Sequence, residues 1–108
     1  MTISLPNPIA GYFAADKAAD MNALGRCFVN DAVVRDEGGT FTGVDAIKQW
    51  NAAARAKYHY TVEPLSIRNE DDAFVVIGKL TGDFPNSPIE LEHVFRLAGD
   101  QIASLEIG

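Results

Sequence analysis

The stretch "DAVVRDEGGTFTG", residues 31–43, opens as an apolar strand and closes on Arg35-Asp36-Glu37 before a double glycine. Side chains alternate across a strand, so Asp36 shares a face with Ala32 and Val34. If that face is the core, a carboxylate stands among apolar neighbours, where burial lifts its pKa and makes it useful as a base. The alternative is a solvated aspartate at a strand end, capping the turn that Gly38 and Gly39 close.

Outward from this stretch the elements fall into order. After an extended "TFT", Gly43 leads into "VDAIKQWNAAARAKY", where Ile47, Trp50, Ala54 and Tyr58 line one side and Asp45 suits the first-turn dipole; its lysine-bearing side reads as a solvated face. Upstream, Asn7 is the expected N-cap and Pro8 the first-turn residue of a helix with Ile9, Tyr12, Phe13 and Asp16 on one stripe. Asp20 caps a second short helix in which Met21, Leu24 and Phe28 share a face. Asp16 and Asp31 read as solvated or capping residues. The remainder is β: "YHYTVEPLSIR", "DAFVVIGKLTGDF", "IELEHVFRLA" and "QIASLEI", separated by turn clusters at Asn69-Glu70-Asp71-Asp72, Pro85-Asn86-Ser87-Pro88 and Gly99-Asp100. Pro64 cannot donate to a ladder and marks a bulge or an edge. Helices first and a curved meander after them predict one α+β domain over residues 1–108, its mostly antiparallel sheet wrapped around three helices.

Composition narrows the function classes. The 108 residues are 47% hydrophobic and 22% charged, the range of a folded globular chain, with a net charge of −6 and a pI near 4.7. An acidic surface with scattered basic residues repels phosphate backbones and argues against nucleic acid. No apolar run reaches the ~20 residues of a membrane span. The start "MTISLPNPIAGYF" lacks signal-peptide character, and the single Cys27 reads as a small buried thiol, so a cytoplasmic location is expected. His59 and His93 have no metal-site spacing, and no GxGxxG, P-loop or GxSxG motif is present; neither metal nor cofactor is expected.

The element order, "FVNDAVVRD", the "TFTGVDAI" passage into a helix and the terminal "FRLAGDQIASLEI" hairpin resemble the nuclear-transport-factor-2-like superfamily, in its SnoaL-like and ketosteroid-isomerase-like branch. The resemblance implies a cone-shaped fold: a bent sheet closed by helices around one mostly apolar pocket, often in a homodimer packed through the sheet. Ketosteroid isomerases carry a tyrosine on the first helix, a proton-shuttling aspartate at the end of the first long strand and a second acid on a later strand. The resemblance places Tyr12 at the tyrosine and Asp36 at the aspartate. The third position falls on His93 when "FRL" is the anchor and on Glu92 otherwise; strand parity favours His93, which alternates with Leu91, Phe95 and Leu97. A histidine there departs from steroid-type isomerisation.

Asp36, Tyr12 and His93 are therefore the candidate catalytic residues, Asp36 moving a proton while Tyr12 with His93 polarises a carbonyl or hydroxyl. Phe13, Phe28, Val34, Trp50, Leu80, Phe95 and Leu105 are the candidate pocket wall. The expected partner is a small apolar or carbonyl-containing molecule, turned over by a cofactor-free isomerase or lyase or held without chemistry. A third reading is an association domain whose cone is filled by Trp50, Phe13 and Phe95. Val75, Ile77 and Val94 on the outer face favour a homodimer under every reading.

Overall fold

The computed structural model describes residues 3–108. Helices α1 (Asn7–Ala18) and α2 (Met21–Arg26) precede β1 (Phe28–Asp36), β2 (Gly39–Thr42) and α3 (Val44–Tyr58); β3 (Tyr60–Glu70), β4 (Ala73–Gly82), β5 (Ile89–Ala98) and β6 (Gln101–Ile107) follow. All six strands form one curved sheet in the order β2-β1-β6-β5-β4-β3. Every neighbouring pair is antiparallel except β1 with β6, the first and last long strands, which run parallel as the second and third strands of the sheet. The three helices close one face, giving the expected α+β cone.

Local chemistry accounts for the boundaries. Asp20 caps α2, its side chain accepting from the Ala23 backbone N–H at 3.1 Å. Asn7 does not cap α1: Pro6 occupies the cap position, and Asn7 and Pro8 form the first turn, where a missing N–H costs no helical bond. The turn after β1 is narrower than the glycine pair suggests. Glu37 and Gly38 both take positive φ, 53° and 78°, while Asp36 pairs with Gly39, as in a two-residue hairpin turn. Asp71 and Asp72 do the same between β3 and β4, so Asn69 and Glu70 belong to the strand. Pro64 marks both features considered for it: β3 is an edge strand, and its register shifts between Pro64 and Ser66, leaving Leu65 38% exposed.

The core lies between the helices and the concave face. Ile9, Leu24, Phe28, Ile47, Phe95, Ile102 and Leu105 are almost completely buried. Phe28 opens β1 instead of extending the face of α2. Tyr12 is clamped edge-on by Phe13, Phe28 and Phe95 at centroid distances of 5.2, 6.0 and 5.6 Å, an arrangement that fixes the ring as well as burying it. On the convex face Val75 is already covered at 5% exposure, and Ile77 and Val94 are half-buried. Arg68 bridges Glu70 and Glu92 on that side. Phe95→Ala should lower the free energy of unfolding by about 3–5 kcal/mol in a urea titration, whereas Leu65→Ala should change it by less than about 0.5 kcal/mol.

Candidate functional site

Beyond the aromatic core the cone stays open. A cavity of about 290 Å³ has Tyr12, Asp36, Trp50, Leu80 and His93 on its wall together with Glu37, Ala54, Tyr58, Tyr60, Val62, Phe84 and Leu91. Residues of β1, β3, β4, β5 and β6, of α1 and α3, and of the β4–β5 loop thus meet at one hollow. Tyr12, Asp36 and His93, remote in sequence, are brought together there. Trp50 and Leu80 join them, whereas Phe13, Phe28, Val34, Phe95 and Leu105 do not line the cavity. These five pack in the hydrophobic core, because the aromatic cluster around Tyr12 closes the space that a wider pocket would need.

Asp36 is half-buried at the end of β1, and the Trp50 indole N–H donates to its Oδ2 at 3.1 Å. Burial pushes its carboxyl above the ordinary carboxylate range and the neighbouring Glu37 charge adds to the push; the Trp50 donor and the Glu37 backbone hydrogen bond oppose it. Tyr12 is only 4% exposed, and burial, with Asp16, Tyr60 and Asp36 behind it, keeps its phenol protonated far above the usual value. Its hydroxyl has no hydrogen-bond partner among the described residues. Tyr60 is shifted the same way, by burial first and Asp16 second.

His93 is 2% exposed and points inward, while Glu92 faces solvent and accepts from Arg68 at 3.1 Å. Burial lowers its pKa, against the pull of the Leu91 and Val76 backbone groups, so the ring is neutral. Nδ1 lies 3.1 Å from the Leu91 carbonyl. A carbonyl can only accept, so the proton sits on Nδ1 and Nε2 keeps a lone pair. Gly78 makes room for this geometry: a Cβ there would fall 2.8 Å from His93 Cε1.

The sequence reading placed Asp16 in solvent or at a cap. The structure buries it to 3% exposure, its Oδ1 accepting from Asn51 Nδ2 at 2.8 Å and Arg55 Nη1 at 3.0 Å. The signal was present in its position on the stripe of Ile9, Tyr12 and Phe13, and in Asn51 and Arg55 being one turn apart on α3. Asp31 is exposed, as expected. Cys27 donates to the Ala23 carbonyl at 3.4 Å, and burial raises its thiol pKa. Among the described residues no group of three or more His, Cys, Asp or Glu side chains is placed to hold a metal ion, and no helix is long and apolar enough to cross a membrane.

The SnoaL-like domain model matches residues 9–105. A proposed polyketide cyclase from Sinorhizobium meliloti, SMa1630, is 41% identical over 96% of this chain and 95% of its own, with a TM-score of 0.93. The chain belongs to the SnoaL-like domain family. Two more distant solved structures share the fold of this SnoaL-like chain. A Catenulispora acidiphila protein with a ketosteroid-isomerase-like fold, in complex with trimethylamine, is 23% identical over 97% of this chain and 86% of its own, with a TM-score of 0.83. TerC, co-crystallised with polyporic acid, is 17% identical over 96% and 91%, with a TM-score of 0.82. No curated protein matches.

Two stability effects test the electrostatics of this SnoaL-like site. Because the folded state raises the Asp36 pKa, it binds that proton more readily than the unfolded chain, and ionising Asp36 costs stability as pH rises above the ordinary carboxylate value. Asp36→Asn removes that cost while its amide oxygen can still accept from Trp50. The variant should therefore melt above the wild type at pH ~7, with the gap closing as pH falls toward ~4, read by thermal unfolding across pH. Asp16→Ala should do the opposite. It strands the Arg55 guanidinium and the Asn51 amide, at about 3 kcal/mol in urea unfolding, the lower end for a buried pair because Arg55 still reaches water.

Proposed function

We propose that this SnoaL-like chain is a cofactor-free isomerase or lyase acting on a small carbonyl compound, with Asp36 as the proton shuttle. The observation that carries this reading is a half-buried carboxylate of raised proton affinity that shares one cavity with a buried phenol whose hydroxyl makes no hydrogen bond among the described residues. A carboxylate held above its ordinary range is a stronger base toward a proton next to a carbonyl. Asp36 takes the α-proton, and the electron pair of the broken C–H bond passes to the carbonyl oxygen as an enolate. The Tyr12 hydroxyl donates to that oxygen, a bond that strengthens as charge develops. The carboxylic acid so formed returns the proton to another carbon in an isomerisation, or to the leaving group in an elimination.

His93 takes a different part from the one expected of it. Its N–H is spent on Leu91, so its free nitrogen accepts from a substrate hydroxyl and does not polarise a carbonyl. The ligands of the two distant fold relatives, polyporic acid and trimethylamine, are consistent with a cavity that takes small molecules. A purely binding role draws support from the protein hydrogen bonds that Asp36 and His93 already make.

Exchange of α-protons for deuterium reads the first step without knowledge of the natural product. With β-tetralone in heavy water, the wild-type chain should accelerate exchange in the proton NMR spectrum, and Asp36→Asn should reduce that acceleration by about 10²-fold or more. The rate should fall as pH drops through the raised Asp36 value. Exchange unchanged in Asp36→Asn removes this residue from the mechanism, and binding of the ketone without exchange selects the purely binding role.

A further inference from the structure

The charged groups on the cavity wall are of one sign. Asp36 and Glu37 are there, and no lysine or arginine is. Arg55 sits by the Tyr60 ring, its guanidinium carbon 5.2 Å from the centroid, but its charge is committed to Asp16 at 3.0 Å. Lys57 lines an adjoining hollow of about 370 Å³ that shares Asp36, Glu37, Trp50, Ala54 and Tyr58 with the cavity. Its Nζ lies 4.9 Å from the Tyr58 centroid, so that ring already attracts a cation.

Much of the wall is aromatic. Trp50, Tyr58, Tyr60 and Phe84 line it, Tyr58 meeting Phe84 edge to face at 6.2 Å and donating to Glu37 Oε1 at 3.0 Å. Aromatic faces carry negative potential, and their attraction for a cation grows when water is excluded. An anion entering here is repelled by both carboxylates and rings, a neutral group gains only burial, and a cation gains from the two carboxylates and the ring faces, against the single charge of Lys57 beside Tyr58 and Glu37. Tyr12, 4% exposed, offers this wall a hydroxyl without a hydrogen-bond partner among the described residues.

We propose that the ligand carries a protonated or quaternary amine, seated between the Asp36 and Glu37 carboxylates and the rings of Trp50, Tyr58 and Phe84, with an oxygen function directed to Tyr12. Only the oxygen function rests on the proposed proton chemistry; the amine site stands on the charge and aromaticity of the wall. The ligand charge also acts on the base. A cation beside Asp36 favours the carboxylate form and offsets part of the rise that burial gives its pKa.

The chain has a single tryptophan, and its indole N–H, held by Asp36, gives one resonance that reports on the cavity. The full chain is titrated with choline, with dimethylbutanol as its uncharged carbon isostere, and with dimethylbutanoate as an anion of the same shape. Choline should shift the indole resonance saturably, with a Kd about tenfold or more below that of the alcohol, and the carboxylate should not saturate. Glu37→Gln should weaken choline several-fold and leave the alcohol unchanged. Equal or tighter binding of the alcohol or the carboxylate, or no saturable shift with choline, overturns the proposal. Deuterium exchange of β-tetralone is an independent measurement: exchange without choline preference removes the amine and keeps the base, and the reverse result removes the base and keeps the amine.

Discussion

Asp16 and Asp36 receive their side-chain hydrogen bonds from one helix. α3 presents the Trp50 indole to Asp36 and, from the next residue and the next turn, Asn51 and Arg55 to Asp16. A carboxylate left unpaired in such surroundings costs several kcal/mol. The helix can therefore seat against the sheet in one rotation only, because a slip of one residue would strand both acids together. That constraint also builds the cavity. Ala54 and Tyr58 lie one and two turns beyond Trp50 and are carried onto the wall with it.

The two acids differ in what pairs them, and the difference separates their roles. Asp16 meets a guanidinium and an amide, so its charge is compensated where it stands. Asp36 meets a neutral indole donor and the like charge of Glu37. The first arrangement locks α1 to α3 behind Tyr12. The second leaves a carboxylate whose proton is held more tightly than usual beside an open cavity, which is the condition for moving a proton.

Much of this was legible in the chain. The alternation through Leu91, His93 and Phe95 sent His93 inward and Glu92 outward, because a period of two leaves no third choice. The stripe Ile47, Trp50, Ala54, Tyr58 gave α3 with its ends. What stayed hidden was pairing at long range. Asp16 ends a helix, where a lone aspartate is commonly solvated, and only its partners 35 and 39 positions away bury it. Phe28 could extend a helical face or begin a strand, and its parallel alignment with Ile102 of β6 decides between them. Phe13 and Phe95 were apolar and inward-facing, which locates a core but does not say whether the space beyond is filled. Their 5.8 Å edge-to-face contact fills it at one end and leaves the cavity at the other.

The histidine at position 93 changes what the cavity offers an oxygen atom. A protonated acid there would donate a second hydrogen bond to a developing oxyanion. A neutral imidazole whose proton rests on the Leu91 carbonyl offers a lone pair instead. The backbone enforces this choice, since Gly78 across the β4–β5 ladder gives the ring room to lie over the strand. Under the proposed chemistry Tyr12 is then the donor to the enolate, and the loss of one oxyanion donor is worth about 10²–10³ in rate elsewhere. A site with one donor suits carbon acids more acidic than a simple ketone, in which a neighbouring ring, a second carbonyl or a nearby positive charge already spreads or offsets the negative charge. The proposed amine site on the aromatic, acidic wall of this cavity would supply the last of these.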